Sequence, residues 1–225
     1  MCIRDRSGIA GLGGGYDNNC AVTQGGQARC WGYQGDGALG NNGSVDSPVP
    51  VVVRNAQNGQ PLTNVRQVSV GGYHGCARLG NGQVRCWGDN DAGELGTGGV
   101  IDNARAVLVR TAGGNPLAGV ADIEVGKYST CALMNNRQVR CWGVDDYGQN
   151  GDGTITSPDF RKLPSLVHGT GNTGVLTGVT QLAGKSNHYC ARLSNGQARC
   201  WGYNSDGALG NGGTTTKPFP VRVQI

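Results

Sequence analysis

Eight cysteines are spaced so that they could hold a metal, cycle between thiol and disulfide, or staple a scaffold. They form the pairs Cys20 and Cys30, Cys76 and Cys86, Cys131 and Cys141, and Cys190 and Cys200, always ten positions apart. Zinc needs close pairs such as C-x2-C with convergent partners, and a spacing of ten does not supply four ligands from one segment. A reactive dithiol needs a C-x-x-C or a helix start beside it, and neither is present. In CARLGNGQVRC, residues 76 to 86, a three-residue loop Gly80-Asn81-Gly82 with Gly82 left-handed pairs Leu79 with Gln83. Counting outward sets Cys76 opposite Cys86 on one face of the hairpin, within disulfide reach. Two readings stand at this point: disulfides in an oxidising compartment, or buried thiols in a reducing one. A ninth cysteine, Cys2, falls in MCIRDR, which fits neither the pattern that starts at Gly8 nor any targeting signal; residues 1–7 read as a foreign or unstructured leader, and Cys2 as unpaired.

Other chemistry is harder to build. The acidic runs DNDAGE (89–94) and VDDYGQNGDG (144–153) invite calcium. Neither follows D-x-[DN]-x-[DN]-G with a distal Glu, and Asp or Asn beside Gly is what tight turns use. The three histidines are His74, His168 and His188, and there is no G-x-S-x-G and no phosphate loop opening a helix. No catalytic residue, metal or cofactor is therefore nominated. A formal charge of +4 spread over a chain with 15% charged residues is too weak and scattered for a nucleic-acid surface. No apolar run approaches the roughly 18 residues of a membrane span.

The elements that must position the cysteines are themselves repeated. The first cysteine of each pair recurs at intervals of 55 to 59 residues. Every second cysteine is preceded by an arginine (Arg29, Arg85, Arg140, Arg199) and followed by Trp-Gly, which accounts for all four tryptophans: Trp31, Trp87, Trp142 and Trp201. Glycine turns and short valine runs such as PVPVVV (48–53) and VRQVSV (65–70) complete each unit. The pattern predicts about four short strands per unit and no helix. One such sheet cannot bury both faces alone, so the units read as propeller blades: 8–64, 65–119, 120–178 and 179–225.

The order H-x-C-A-x-L-x-N-G-x-V-x-C-W-G with a following glycine turn and P-V-x-V resembles the regulator of chromosome condensation type of repeat, specifically its cysteine-bearing bacterial relatives. The likeness covers Gly8 to Ile225. It implies a seven-bladed all-β propeller used mainly for protein recognition, so four blades imply an open arc that associates through its ends. On strand alternation each arginine lies against its own tryptophan, and the tryptophans pack blade to blade. The resemblance places the segments before each first cysteine on one rim. There Tyr16, Asp17, Tyr73, His74, Lys127, Tyr128, His188 and Tyr189 form a tyrosine-rich patch suited to recognition, or else turn residues satisfied locally. The expected function is a non-enzymatic, disulfide-stapled recognition scaffold for a protein or cell-surface partner, in an extracellular or periplasmic setting. A guanine-nucleotide exchange factor for a small GTPase is the alternative, and it requires reduced cysteines.

Overall fold

Short valine-rich runs closed by glycine turns fold into four sheets, each of four antiparallel strands in sequence order. The structure is a computed structural model and describes residues 8–155 and 160–225, so the leader and Cys2 lie outside the described residues. Blade 1 holds β1 (Ile9–Gly14), β2 (Asn18–Thr23), β3 (Ala28–Gly32) and β4 (Ser47–Val52); blade 2 holds β5 (Val65–Val70), β6 (His74–Leu79), β7 (Val84–Gly88) and β8 (Asn103–Leu108). Blade 3 holds β9 (Val120–Val125), β10 (Ser129–Met134), β11 (Val139–Val144) and β12 (Phe160–Leu166); blade 4 holds β13 (Val179–Lys185), β14 (His188–Leu193), β15 (Ala198–Gly202) and β16 (Lys217–Arg222).

The central hairpin of each blade carries the cysteines. Leu79 N donates to Gln83 O at 2.8 Å and Gly82 takes φ +76°, which closes the turn between β6 and β7. Blade 3 has Arg137 at the corresponding left-handed position, φ +64°. Cys20, Cys76, Cys131 and Cys190 then face Cys30, Cys86, Cys141 and Cys200 in register, and all four pairs are disulfides with Cα atoms 4.0–4.1 Å apart.

Strand alternation gives every blade two unlike faces. The disulfide face looks to the following blade and the tryptophan face to the preceding one. Cys20, Cys30 and Leu39 of blade 1 pack on Val68, Ala77 and Trp87 of blade 2. Cys76, Cys86 and Leu95 meet Ile123, Ala132 and Trp142, and Cys131, Cys141 and Val167 meet Leu182, Ala191 and Trp201. Each buried indole N–H donates to a carbonyl of the blade before it: Trp87 to Ala38 at 3.0 Å, Trp142 to Glu94 at 2.7 Å, Trp201 to Gln149 at 2.9 Å.

Three junctions join four blades in an open arc. Trp31 is only half-buried, beside an apolar hollow of about 720 Å³ lined by Ile9, Leu12, Ala21 and Val49. Leu12 is 72% exposed there. The inner strands β1, β5, β9 and β13 line a hollow about the arc's axis, where Lys185 Nζ reaches Gly14 O at 2.6 Å.

Candidate recognition surface

In an up-and-down blade, the loop joining the first and second strands and the loop joining the third and fourth emerge on the same rim. The Trp-Gly glycine locks them together. Gly32, Gly88, Gly143 and Gly202 have φ between +97° and +105°, and a Cβ there would collide with the carbonyls of Asp17, Tyr73, Tyr128 and Asn187. With no side chain in the way, the next residue donates its N–H to that same carbonyl: Tyr33 to Asp17 at 2.9 Å, Asp89 to Tyr73 at 3.1 Å, Val144 to Tyr128 at 2.9 Å and Tyr203 to Asn187 at 2.9 Å.

This clamp assembles the aromatic surface. Tyr33 and Tyr73 meet edge to face with centroids 6.0 Å apart, and Tyr73 and Tyr128 are again 6.0 Å apart, so a tyrosine ladder crosses blades 1, 2 and 3. The Lys127 ammonium lies 4.9 Å from the Tyr128 ring centre and 5.9 Å from that of Tyr16. Tyr16 is 51% exposed and Tyr33 39%. Asp17 is exposed, and Tyr73, Lys127, Tyr128 and His188 are half-buried. Farther round, Tyr147 and Tyr203 pack edge to face at 5.1 Å.

Two of the expected rim residues are not on the surface. His74 and Tyr189 are 1% and 0% exposed, because His74 packs into the junction of blades 2 and 3 and Tyr189 into that of blades 3 and 4. His74 Nε2 bonds Thr130 Oγ1 of the next blade at 2.9 Å, and that hydroxyl donates on to Glu94 O at 3.5 Å, so the ring is the donor and Nδ1 is left bare. Burial holds the imidazole pKa down at about 3, which keeps it neutral. Tyr189 Oη accepts from Gly126 N at 3.0 Å and lies 2.8 Å from Ser129 O, to which it donates. The blade 1 counterpart of His74, Asn18, is buried with no side-chain hydrogen bond among the described residues. Where blade 3 has Thr130, blade 2 has Gly75, at which a Cβ would come within 2.9 Å of Trp87.

Three of the four arginines have polar partners, and no arginine is in a cation–ring contact among the described residues. Arg85 donates to Asn55 Oδ1 at 3.2 Å, Gln57 Oε1 at 2.9 Å and Ala106 O at 3.3 Å, tying β7 to the linker from blade 1. Arg199 does the same with Thr170 Oγ1 at 2.9 Å, and Arg140 bonds Pro164 O at 3.2 Å. Arg29 lines the hollow beside Trp31. The cation–ring contacts among the described residues belong to Lys127 and Lys162.

Sequence reasoning missed Tyr33, Tyr147 and Tyr203, which follow the Trp-Gly turns. The signal was the meander: the third strand returns to the rim that the first one left. It also scattered the acidic residues that the rim gathers. Asp89, Asp91 and Asp102 each offer an oxygen within 4.8 Å of the others, beside Asp36 of blade 1. Asp102 Oδ1 accepts from Asn90 N at 2.8 Å as Asp46 Oδ1 does from Gln34 N at 2.9 Å, so one of these oxygens serves the turn. Desolvation, then the charges of Asp102, Asp91 and Asp36, push the Asp89 carboxyl upward.

Glu94 supplies a pH prediction. Its Oε2 accepts from Ala92 N at 2.9 Å in a 1% exposed site, and burial lifts its pKa from 4.5 to about 7. The folded state thus holds a proton that the unfolded chain has released between those values, so the stability linked to this proton is complete below pH 4.5 and lost as pH rises through 7. Blade 3 carries the neutral isostere Gln149 at the same place, accepting from Tyr147 N at 2.8 Å. Glu94→Gln is expected to stabilise the protein by about 2 kcal/mol at pH 8 and by almost nothing at pH 4.5. Urea titrations at the two pH values check this, and an equal effect at both would remove the buried proton.

Sequence and structure comparisons agree with this architecture. The profile of the regulator of chromosome condensation (RCC1) repeat matches residues 26–78, and a second profile of the same repeat matches 65–94, 120–149 and 179–208. The Ultraviolet-B receptor UVR8 of Arabidopsis thaliana is 27% identical over 210 residues, which are 93% of this chain and 44% of UVR8. The chain therefore spans less than half the length of that relative. Human WBSCR16 superposes with a TM-score of 0.81 at 22% identity, over 100% of this chain and 55% of that one. Prp20p of Saccharomyces cerevisiae does so with a TM-score of 0.76 at 18% identity, over 99% and 52%. With repeat matches running through all four blades, this chain belongs to the regulator of chromosome condensation (RCC1) repeat family.

Proposed function

We propose that this chain is a non-enzymatic recognition scaffold that presents the rim of the tyrosine ladder to a protein or cell-surface partner. The ladder carries the reading: Tyr33, Tyr73 and Tyr128, set on one rim by the backbone clamp and flanked by the exposed Tyr16, are large, rigid contact groups with little rotamer entropy to lose on binding. Prp20p is described as binding Gsp1p and histones, which supports the use of such propellers in protein recognition. Disulfides in every blade favour an oxidising setting, extracellular or periplasmic, over the exchange-factor alternative. The two uncovered blade faces add a route for association through the ends of the arc.

The test is capture of partners from extracellular extracts by immobilised protein. Joint replacement of Tyr16, Tyr73 and Tyr128 by alanine is expected to lower capture at least about tenfold, with the melting temperature shifting by only a few degrees. Arg54→Ala with Arg110→Ala, on the opposite rim, should leave capture intact. Capture that survives the tyrosine changes and fails with the arginine changes would move the site to the other rim.

A further inference from the structure

The tyrosine ladder already holds a cation. Lys127 places its ammonium between the Tyr16 and Tyr128 rings, so part of this aromatic surface is satisfied from within the chain. The other part of the ladder, Tyr33 and Tyr73, has no cation over its rings among the described residues. It lies across the junction of blades 1 and 2, where β8 packs against the turn Gly35–Gly37 and Asn42 N bonds Ala104 O at 2.8 Å. The same junction brings Asp36 into the electrostatic range of Asp89 and Asp102.

The Tyr33 ring lies against Gly35, next to Asp36, and Tyr73 O accepts from Asp89 N at 3.1 Å, so the loops that carry these two tyrosines also carry the four carboxylates; none of the four takes part in an ion pair among the described residues, where the ion pair formed is Arg161 with Asp152. Asp36, Asp91 and Asp102 are exposed. Their grouping is not a by-product of an acidic protein, since the chain as a whole is at +4. Like charges gathered without counter-charges cost stability in the free protein, and an arriving cation would relieve that cost.

Resting on the recognition reading above, we propose that Tyr33, Tyr73, Asp36, Asp89, Asp91 and Asp102 form the docking site for an arginine-bearing, extended segment of a partner protein. A guanidinium fits both halves of the site: its plane stacks on a tyrosine ring and its fork bonds carboxylates in pairs, which an ammonium does less well. Nucleic acid and anionic lipid would meet repulsion at the same place.

The experiment measures fluorescence anisotropy of labelled octapeptides against the intact chain in low salt. The probes are an arginine-glycine repeat, a lysine-glycine repeat and a glutamate-glycine repeat. The arginine peptide should bind most tightly and the glutamate peptide not measurably. Asp36→Asn, Asp91→Asn and Asp102→Asn together should weaken the arginine peptide about tenfold or more; asparagine keeps the acceptor that Asn90 N needs and tolerates the left-handed φ of +56° at position 36, so the fold is preserved. Tyr33→Ala with Tyr73→Ala should weaken it about fivefold. Failure of the arginine peptide to bind, or binding that ignores the asparagine changes, overturns the proposal. Tighter binding of the glutamate peptide, lost in the tyrosine variant, overturns it too while leaving the rim as the recognition surface.

Discussion

Trp142→Ala is expected to cost about 3–5 kcal/mol of folding stability, and Trp31→Ala less than about 1 kcal/mol, although both replace the same residue of the same repeated phrase. Trp142 is 0% exposed between blades 2 and 3, packed with Leu95, Val109 and Ile123, and its N–H satisfies Glu94 O. Truncation opens a cavity and strands a buried carbonyl, and both terms are unfavourable. Trp31 instead lies half-buried against a hollow open to solvent, so its loss removes little that is desolvated. The two changes should also part in a second measurement. In the intact blades each indole N–H reaches back to the carbonyl of Ala38, Glu94 or Gln149, and the corresponding carbonyl of blade 4 belongs to Ala208. Association of the uncovered faces would seat Trp31 on such a carbonyl, so Trp31→Ala should reduce self-association in light scattering. Chemical denaturation supplies the stabilities, and equal costs for the two tryptophans would contradict the open arc.

Reducing all four disulfides is expected to have a comparable effect. Closing an eleven-residue loop is worth at most about 3 kcal/mol in the chain-entropy account, and less where the hairpin is already ordered by its turn. At about 1–2 kcal/mol each, the four together approach the whole stability of an ordinary domain, about 5–15 kcal/mol. Reduction should not be uniform. The sulfurs of blades 1 to 3 are sealed beneath the following blade, with all six cysteines 0% exposed, whereas Cys190 on the trailing face of blade 4 is half-buried. A phosphine reductant applied to the folded protein should open Cys190–Cys200 first, and timed alkylation with peptide mapping would read the order. Simultaneous opening of all four would mean that reduction follows global unfolding.

The disulfide pairing was legible because everything it needs is local. A ten-residue spacing, a turn at its middle and a period of two along each strand set Cys76 beside Cys86 without reference to the rest of the chain. Repetition of the phrase carried the blades for the same reason. The proposed recognition rim was legible only in outline, since Tyr73 and His74 are neighbours in sequence and consecutive side chains point to opposite sides. Which side is solvent depends on a blade 56 residues farther along: Thr130 of that blade bonds the buried His74, while Tyr73 meets Tyr33 and Tyr128 from two other blades. The carboxylate group beside the ladder has the same origin, with Asp36 brought to Asp89 and Asp102 only by packing blade 1 on blade 2. Short-range geometry, repeated, determined the strands, the turns and the staples. Burial and the company each side chain keeps were decided by contacts between blades, because a sheet that cannot cover its own faces takes its inside and outside from its neighbours.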